Sequence, residues 1–306
     1  MLLLHFSFFI LHSGCVMTAD FAARFCVPPD PQSFQLLFPG PLDLDADGLE
    51  IILRDYHPAF EAVRVELGEV KANPALAALV SADGPPASVL GEIVWPAHRI
   101  LLAGFDAPMP HGPVAACVPT AMMPDELKAD AIAHGAHVLL YHAGDHPDPF
   151  ERCVALGAVA GALARFGAVV TLNEEARAAV PAFDLTPEDG EDILATLRGL
   201  PIPYLYGGFA KLDVGDPDRP WARTFACHRL GLPDLARHLP GHDRTAETFK
   251  LFGGLLGYLR TTGERFQPGD TLDLGDGKLT LRAPAEREWW LESPGETLVV
   301  EPGADR

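Results

Sequence analysis

The stretch Ala136–Leu172 constrains the fold more than any other part of the chain. Ala136 to His142 (AHVLLYH) is short, apolar and free of glycine and proline, which predicts a strand. Asp148-Pro149-Phe150-Glu151 then supplies a side-chain N-cap, a proline at the first helical position and an acidic residue in the first turn. The helix that follows carries Leu156, Val159, Leu163 and Phe166 along one stripe. The small residues Ala158, Gly161 and Ala162 allow a close approach to a sheet. Gly167 ends this helix, and Val169 to Leu172 is the next strand.

Shorter signals extend the pattern in both directions. Phe34–Phe38, Val63–Val70 and Ile100–Phe105 read as strands, and Asp47–Tyr56 and Pro124–Ala133 as helices. Residues 72–92 read as a small helix and a loop, and the prolines of Asp106–Pro113 argue against regular structure there. Downstream, a helix is expected from Thr186-Pro187 to Gly199, and antiparallel strands at Tyr204–Val214 and Trp221–Cys227. Thr245–Thr262 reads as a long helix, Thr271–Leu274 and Lys278–Arg282 as a hairpin around Gly275-Asp276-Gly277, and Thr297–Val300 as a last strand. The expected fold is α+β, with mixed or antiparallel sheets packed against helices in an α/β sandwich. A weak boundary near Pro181–Thr186 divides an N-terminal α/β region, 17–183, from a C-terminal α+β region, 184–306. The two regions are also compatible with one continuous domain.

The first residues, MLLLHFSFFILHSGCVMTAD, bear on the compartment. The apolar run Leu2–Leu11 is about half the ~20 residues that span a bilayer. It has no Lys or Arg before Arg24, so it lacks the charged start of a secretory signal. Gly14-Cys15 has the ending of a lipoprotein signal, but His12 stands where leucine is expected. Residues 1–16 are therefore read as a dispensable leader before Met17 and the protein as cytoplasmic. The alternative is an exported lipoprotein anchored at Cys15.

Charge excludes some partners. Forty-two Asp and Glu against 23 Lys and Arg leave a formal charge of −19, which repels nucleic-acid backbones and anionic membrane surfaces. The same surface favours a basic protein partner. Cys15, Cys26, Cys117, Cys153 and Cys227 form no CxxC pair, and the last three read as small core residues rather than zinc ligands.

Several motifs invite a chemical reading. Asp43-Leu-Asp45-Ala-Asp47-Gly48 begins like a calcium loop, but Arg54 stands where the closing glutamate belongs, so a helix cap is expected instead. His134, His137, His142, Asp145 and His146 are candidate ligands for a divalent metal. Strand geometry sends His137 and His142 to opposite faces, and His134 falls at a helix end. Glycine-rich phosphate loops and G-x-S-x-G elbows do not occur. Cys227-His228 on a strand would diverge, and Cys153, one turn into its helix, reads as buried rather than activated. Adjacent Trp289 and Trp290, with Trp221 and Tyr258, suggest a recognition groove in which one tryptophan is exposed.

ILLAGFDAPMP, HGAHVLLYHAGDHPDPFERCVALGAVAGAL, TFACHRLGLPDLARHLP and FGGLLGYLRTTGERFQPGDTLDL together resemble an uncharacterised bacterial domain-of-unknown-function family over roughly residues 90–285. The shared features are a Pro-x-Pro turn after a strand, His134 to His137, Gly231-Leu-Pro-Asp234 and Gly269-Asp270-Thr271. The resemblance implies no activity, cofactor or catalytic residue. The expected function is that of a non-catalytic acidic binding or adaptor protein without a cofactor. The alternative is a metal-dependent hydrolase built on the His/Asp cluster of residues 134–148.

Overall fold

The computed structural model describes residues 27–69, 87–214, 219–239, 241–275 and 277–303. The expectations for residues 1–16, Met17, Cys15 and Cys26, and the small helix expected after residue 72, lie outside them. The fold is α+β, with two sheets packed against helices.

The first sheet contains β1 (Ser33–Phe38), β2 (Arg64–Glu69), β3 (Val89–Trp95), β4 (His98–Phe105), β5 (Ala136–His142), β6 (Val170–Asn173) and β7 (Ala178–Pro181). Its order is β2-β3-β4-β5-β1-β6-β7, with antiparallel pairings throughout. Strand β1 is central, with Phe34 opposite Leu140 of β5 and Leu36 opposite Thr171 of β6. That position explains its run of buried residues, since both faces of a central strand are covered. Alternation along β4 and β5 puts Ile100, Leu102, Val138 and Leu140 in the main core. Leu101, Ala103 and Phe105 lie on the other face.

Two helices pack on the main-core face. Helix α1 (Ala46–Tyr56) starts at Asp45, whose Oδ2 accepts from the Gly48 amide at 2.7 Å. The calcium-like segment is thus a helix cap, as its charge pattern predicts. On the opposite face lie α2 (His111–Cys117) and α3 (Asp125–Ile132), around Leu37, Cys117, Val170 and Leu172. Helix α2 corrects the expectation of irregular chain at 106–113: Pro113 lies in its first turn, where no intrahelical N–H bond is required.

Helix α4 (Pro149–Ala164) begins as its sequence predicts, with Asp148 Oδ1 accepting from the Phe150 amide at 2.8 Å. The single apolar stripe does not describe it: residues Cys153 through Leu163 are buried without interruption. A helix that is apolar all round must be covered all round. The sheet covers one side; α1, α5 (Ile193–Gly199) and the turn at 182–185 cover others. Gly161 permits the closest of these approaches. A Cβ there would lie 1.9 Å from the Leu185 carbonyl oxygen, while Tyr56 donates its hydroxyl to the Gly161 carbonyl at 3.1 Å.

Helix α5 starts later than Thr186-Pro187 suggests. Gly190 adopts φ +81°, which interrupts a right-handed helix, and Asp192 caps the new start by accepting from the Ala195 amide. The strand expected from Tyr204 is divided into a helical turn α6 (Ile202–Leu205) and β8 (Gly208–Leu212). Strand β8 joins β9 (Trp221–Phe225), β10 (Asp234–His238), β11 (Thr271–Asp273), β12 (Lys278–Arg282) and β13 (Thr297–Pro302) in the second sheet. The order is β11-β12-β13-β10-β9-β8, antiparallel except for β10 beside β13. Helix α7 (Thr245–Thr262) buries Phe252, Leu255, Leu256 and Leu259. The main hydrophobic cluster contains Leu36 and Val159 from the first sheet's side and Leu256, Leu298 and Val300 from the second's.

Candidate functional site

The histidines of the 134–148 region separate into two groups. His134 follows α3, and its Nε2 accepts from the Met109 amide at 2.7 Å while Nδ1 donates to the Ala131 carbonyl at 2.7 Å. Both ring nitrogens hold backbone, so His134 ties the last turn of α3 to the loop at Met109. His137 stands on the α2/α3 face of β5. Its ring stacks on Phe105 at 4.7 Å and its Nδ1 donates to the Ala107 carbonyl. Burial pulls the His137 pKa down, which favours the neutral ring.

His142, five residues on, faces the main core, and its partner is one that sequence reasoning did not select. Strand β4 runs antiparallel to β5 with Ile100 opposite His142, so His98 shares the His142 face. His98 Nδ1 lies 3.1 Å from His142 Nε2. The His98 ring also stacks on Trp95 at 4.9 Å and on His146 at 4.8 Å. His146 enters from the loop before α4, with its Nδ1 accepting from the Asp148 amide. Asp145 is exposed and stands apart from these contacts.

Burial dominates the electrostatics of this group. It pushes the His142 pKa down to about 3, helped by His98, Arg152 and His146. It pushes His98 down to about 4, helped by His146 and opposed by Glu151. Both rings are neutral near pH 7 and share a single hydrogen across the pair. His142 is 4% exposed, and its Nδ1 has no hydrogen-bond partner among the described residues. Among those residues no three His, Cys, Asp or Glu side chains are placed to hold one metal ion. The cluster joins β4, β5 and the entry to α4.

The remaining motifs resolve locally. Cys227-His228 lies in a 3-10 turn at 227–230, not on a strand, because Ala226 and Gly231 take left-handed conformations at its ends. Cys227 is buried, and His228 faces Glu175 at 3.6 Å. Burial raises the Cys153 thiol pKa to about 12, outweighing any effect of its helix position. Trp289 and Trp290 also lie in a 3-10 turn rather than a strand; Trp289 is 60% exposed and Trp290 packs on Trp221.

A different surface combines exposure with charge. Phe183, in the turn between β7 and α5, is 61% exposed. The segment it opens, FDLTPEDGED, carries Asp184, Glu188, Asp189, Glu191 and Asp192 with no Lys or Arg, and all five carboxylates are on exposed residues. Three have local tasks: Asp184 accepts from the Tyr204 hydroxyl, Glu191 from Thr196, and Asp192 caps α5. Glu188 and Asp189 face solvent. Sequence reasoning passed over this segment because its Thr-Pro-Glu-Asp pattern reads as a helix start.

No family model, curated protein or solved structure matches the chain. No helix among the described residues is long and apolar enough to cross a membrane.

Proposed function

We propose that the chain is a non-catalytic binding protein whose acidic surface takes a basic protein partner. The observation that carries this reading is the exposed ring of Phe183 within a run of five exposed carboxylates. An apolar anchor supplies affinity, since burying a phenylalanine side chain stabilises by about 1.5–3 kcal/mol. Surrounding charge of one sign speeds encounter with an oppositely charged partner and rejects acidic ones. The net charge of −19 extends that preference over the whole molecule.

The metal-dependent hydrolase reading draws no support from the site. His134 and His137 are engaged with backbone, and Asp145 stands away from His142 and His146.

A fluorescence titration with a labelled amphipathic peptide of lysine and leucine tests the proposal. A glutamate-for-lysine version of the peptide is the control. The Lys peptide binds the wild type and loses affinity for a Glu188→Gln/Asp189→Asn variant, while the Glu peptide does not bind. Equal binding of both peptides, or of the Lys peptide to both proteins, contradicts it.

A further inference from the structure

We propose that the half-open cleft between α4, the 198–202 segment and α7 binds a small organic anion, a carboxylate or phosphate ester with a flat apolar body. This goes beyond the partner surface and does not depend on it. The cavity has a volume of about 340 Å³, at the lower end of the range of about 300–1,000 Å³ that holds small ligands.

Its charge runs against the rest of the molecule. Arg198, Lys250 and Arg260 line it, and no carboxylate does, in a chain with 42 acidic and 23 basic Lys and Arg residues. Glu151 lies behind the lining and takes Arg198 in a two-pronged contact, at 2.9 Å from Nε and 2.8 Å from Nη2. The same carboxylate reaches Arg260 Nη2 at 3.6 Å. Thus one negative charge positions two guanidiniums and leaves the cluster, with Lys250, net positive. Lys250 is exposed and has no carboxylate partner among the described residues. Planar guanidiniums and a mobile ammonium suit a carboxylate or phosphate.

Apart from Thr261, the rest of the wall is apolar side chain and glycine backbone. Phe249, Leu200 and Pro201 contribute apolar surface, while Phe150 is buried beneath the Arg260 guanidinium, which stacks over its ring at 3.4 Å and is held in place by it. Gly253, Gly254 and Gly257 of α7 form one side. Interior glycines weaken a helix relative to alanine, so they call for a packing reason. Within the protein there is little: a Cβ at Gly254 or Gly257 would meet nothing within 4 Å, and one at Gly253 would only touch Pro201 at 3.4 Å. Bare backbone at these positions keeps the wall open to a ligand.

The test is ligand-observed NMR with benzoate, phenyl phosphate, inorganic phosphate and benzamidine, each against wild type, Lys250→Ala and Gly254→Leu. Benzoate or phenyl phosphate binds the wild type, and the stronger of the two identifies the headgroup. Inorganic phosphate binds more weakly, and the cation benzamidine does not bind. Lys250→Ala weakens the preferred anion about tenfold, the size expected for one charge-assisted contact. Gly254→Leu keeps or raises the melting temperature and abolishes binding, which separates a filled cavity from a damaged fold. The proposal is overturned if neither aryl anion binds at about 10 mM, if benzamidine binds equally, or if Gly254→Leu binds like wild type.

Discussion

His98 Nδ1 and His142 Nε2 approach to 3.1 Å across neighbouring strands β4 and β5, at the edge of the main core. Both pKa values are depressed from 6.5, to about 4 and about 3, with burial as the leading cause. The unfolded chain therefore binds more protons than the folded one below pH 6.5. The pair's contribution is complete above that pH and is lost as pH falls through about 4 for His98 and about 3 for His142. His146, Glu151, Arg152 and Arg198 modulate the two rings without changing the sign. Thermal melts of wild type and His98→Gln at pH 7 and about pH 4.5 check this. The fall in melting temperature is smaller in the variant; an identical fall shows that the pair does not govern the response.

Buried charge in the second sheet gives a larger effect. Asp234 is fully buried beside Arg223, with 3.7 Å between Oδ2 and Nη2. It also accepts from Ser293 at 2.6 Å and from the Cys227 amide at 3.1 Å. Asp234→Ala leaves the guanidinium uncompensated and costs on the order of 3–5 kcal/mol, read as a lowered denaturant midpoint. A loss under about 1 kcal/mol contradicts the assignment of this pair as a structural centre.

Two glycine replacements have opposite outcomes. Gly161→Ala puts a methyl group 1.9 Å from the Leu185 carbonyl oxygen and forces backbone apart. A destabilisation of at least about 1–3 kcal/mol follows. Gly254→Ala, in the interior of α7, meets nothing within 4 Å and gains up to about 1 kcal/mol from helix propensity. Chemical denaturation of both variants measures the contrast.

Thiol accessibility follows burial. Cys117, Cys153 and Cys227 are buried, and burial raises Cys117 and Cys153 to about 12. Site-resolved alkylation of native protein near pH 8 leaves all three unmodified until the chain is unfolded. Rapid native labelling of Cys153 indicates an open α4.

Local signals made much of the fold legible. Asp148-Pro149 marks the start of α4, and the 18-residue helix α7 occupies the predicted span Thr245–Thr262. The hairpin of β11 and β12 and the five-residue offset between His137 and His142 also follow from turn chemistry and strand alternation. What depends on partners distant in sequence was not legible. Strand β3 lies within a segment read partly as loop, and its pairing with β4 stabilises it there. His98 joins His142 only through the register of β4 on β5. The cationic cavity needs residues from positions 150, 198 and 260 brought together. Helix α4 has the same origin, since the unbroken burial of Cys153–Leu163 reflects elements distant in the chain.

The proposed docking of a basic partner on Phe183 and its carboxylates is tested by the dissociation constant of the Lys/Leu peptide for wild type and Phe183→Ala, each at about 20 mM and 200 mM salt. Docking at Phe183 gives tight binding at low salt, a marked loss at high salt, and a loss of about tenfold or more on removing the ring at either salt. Affinity indifferent to both Phe183 and salt would contradict it.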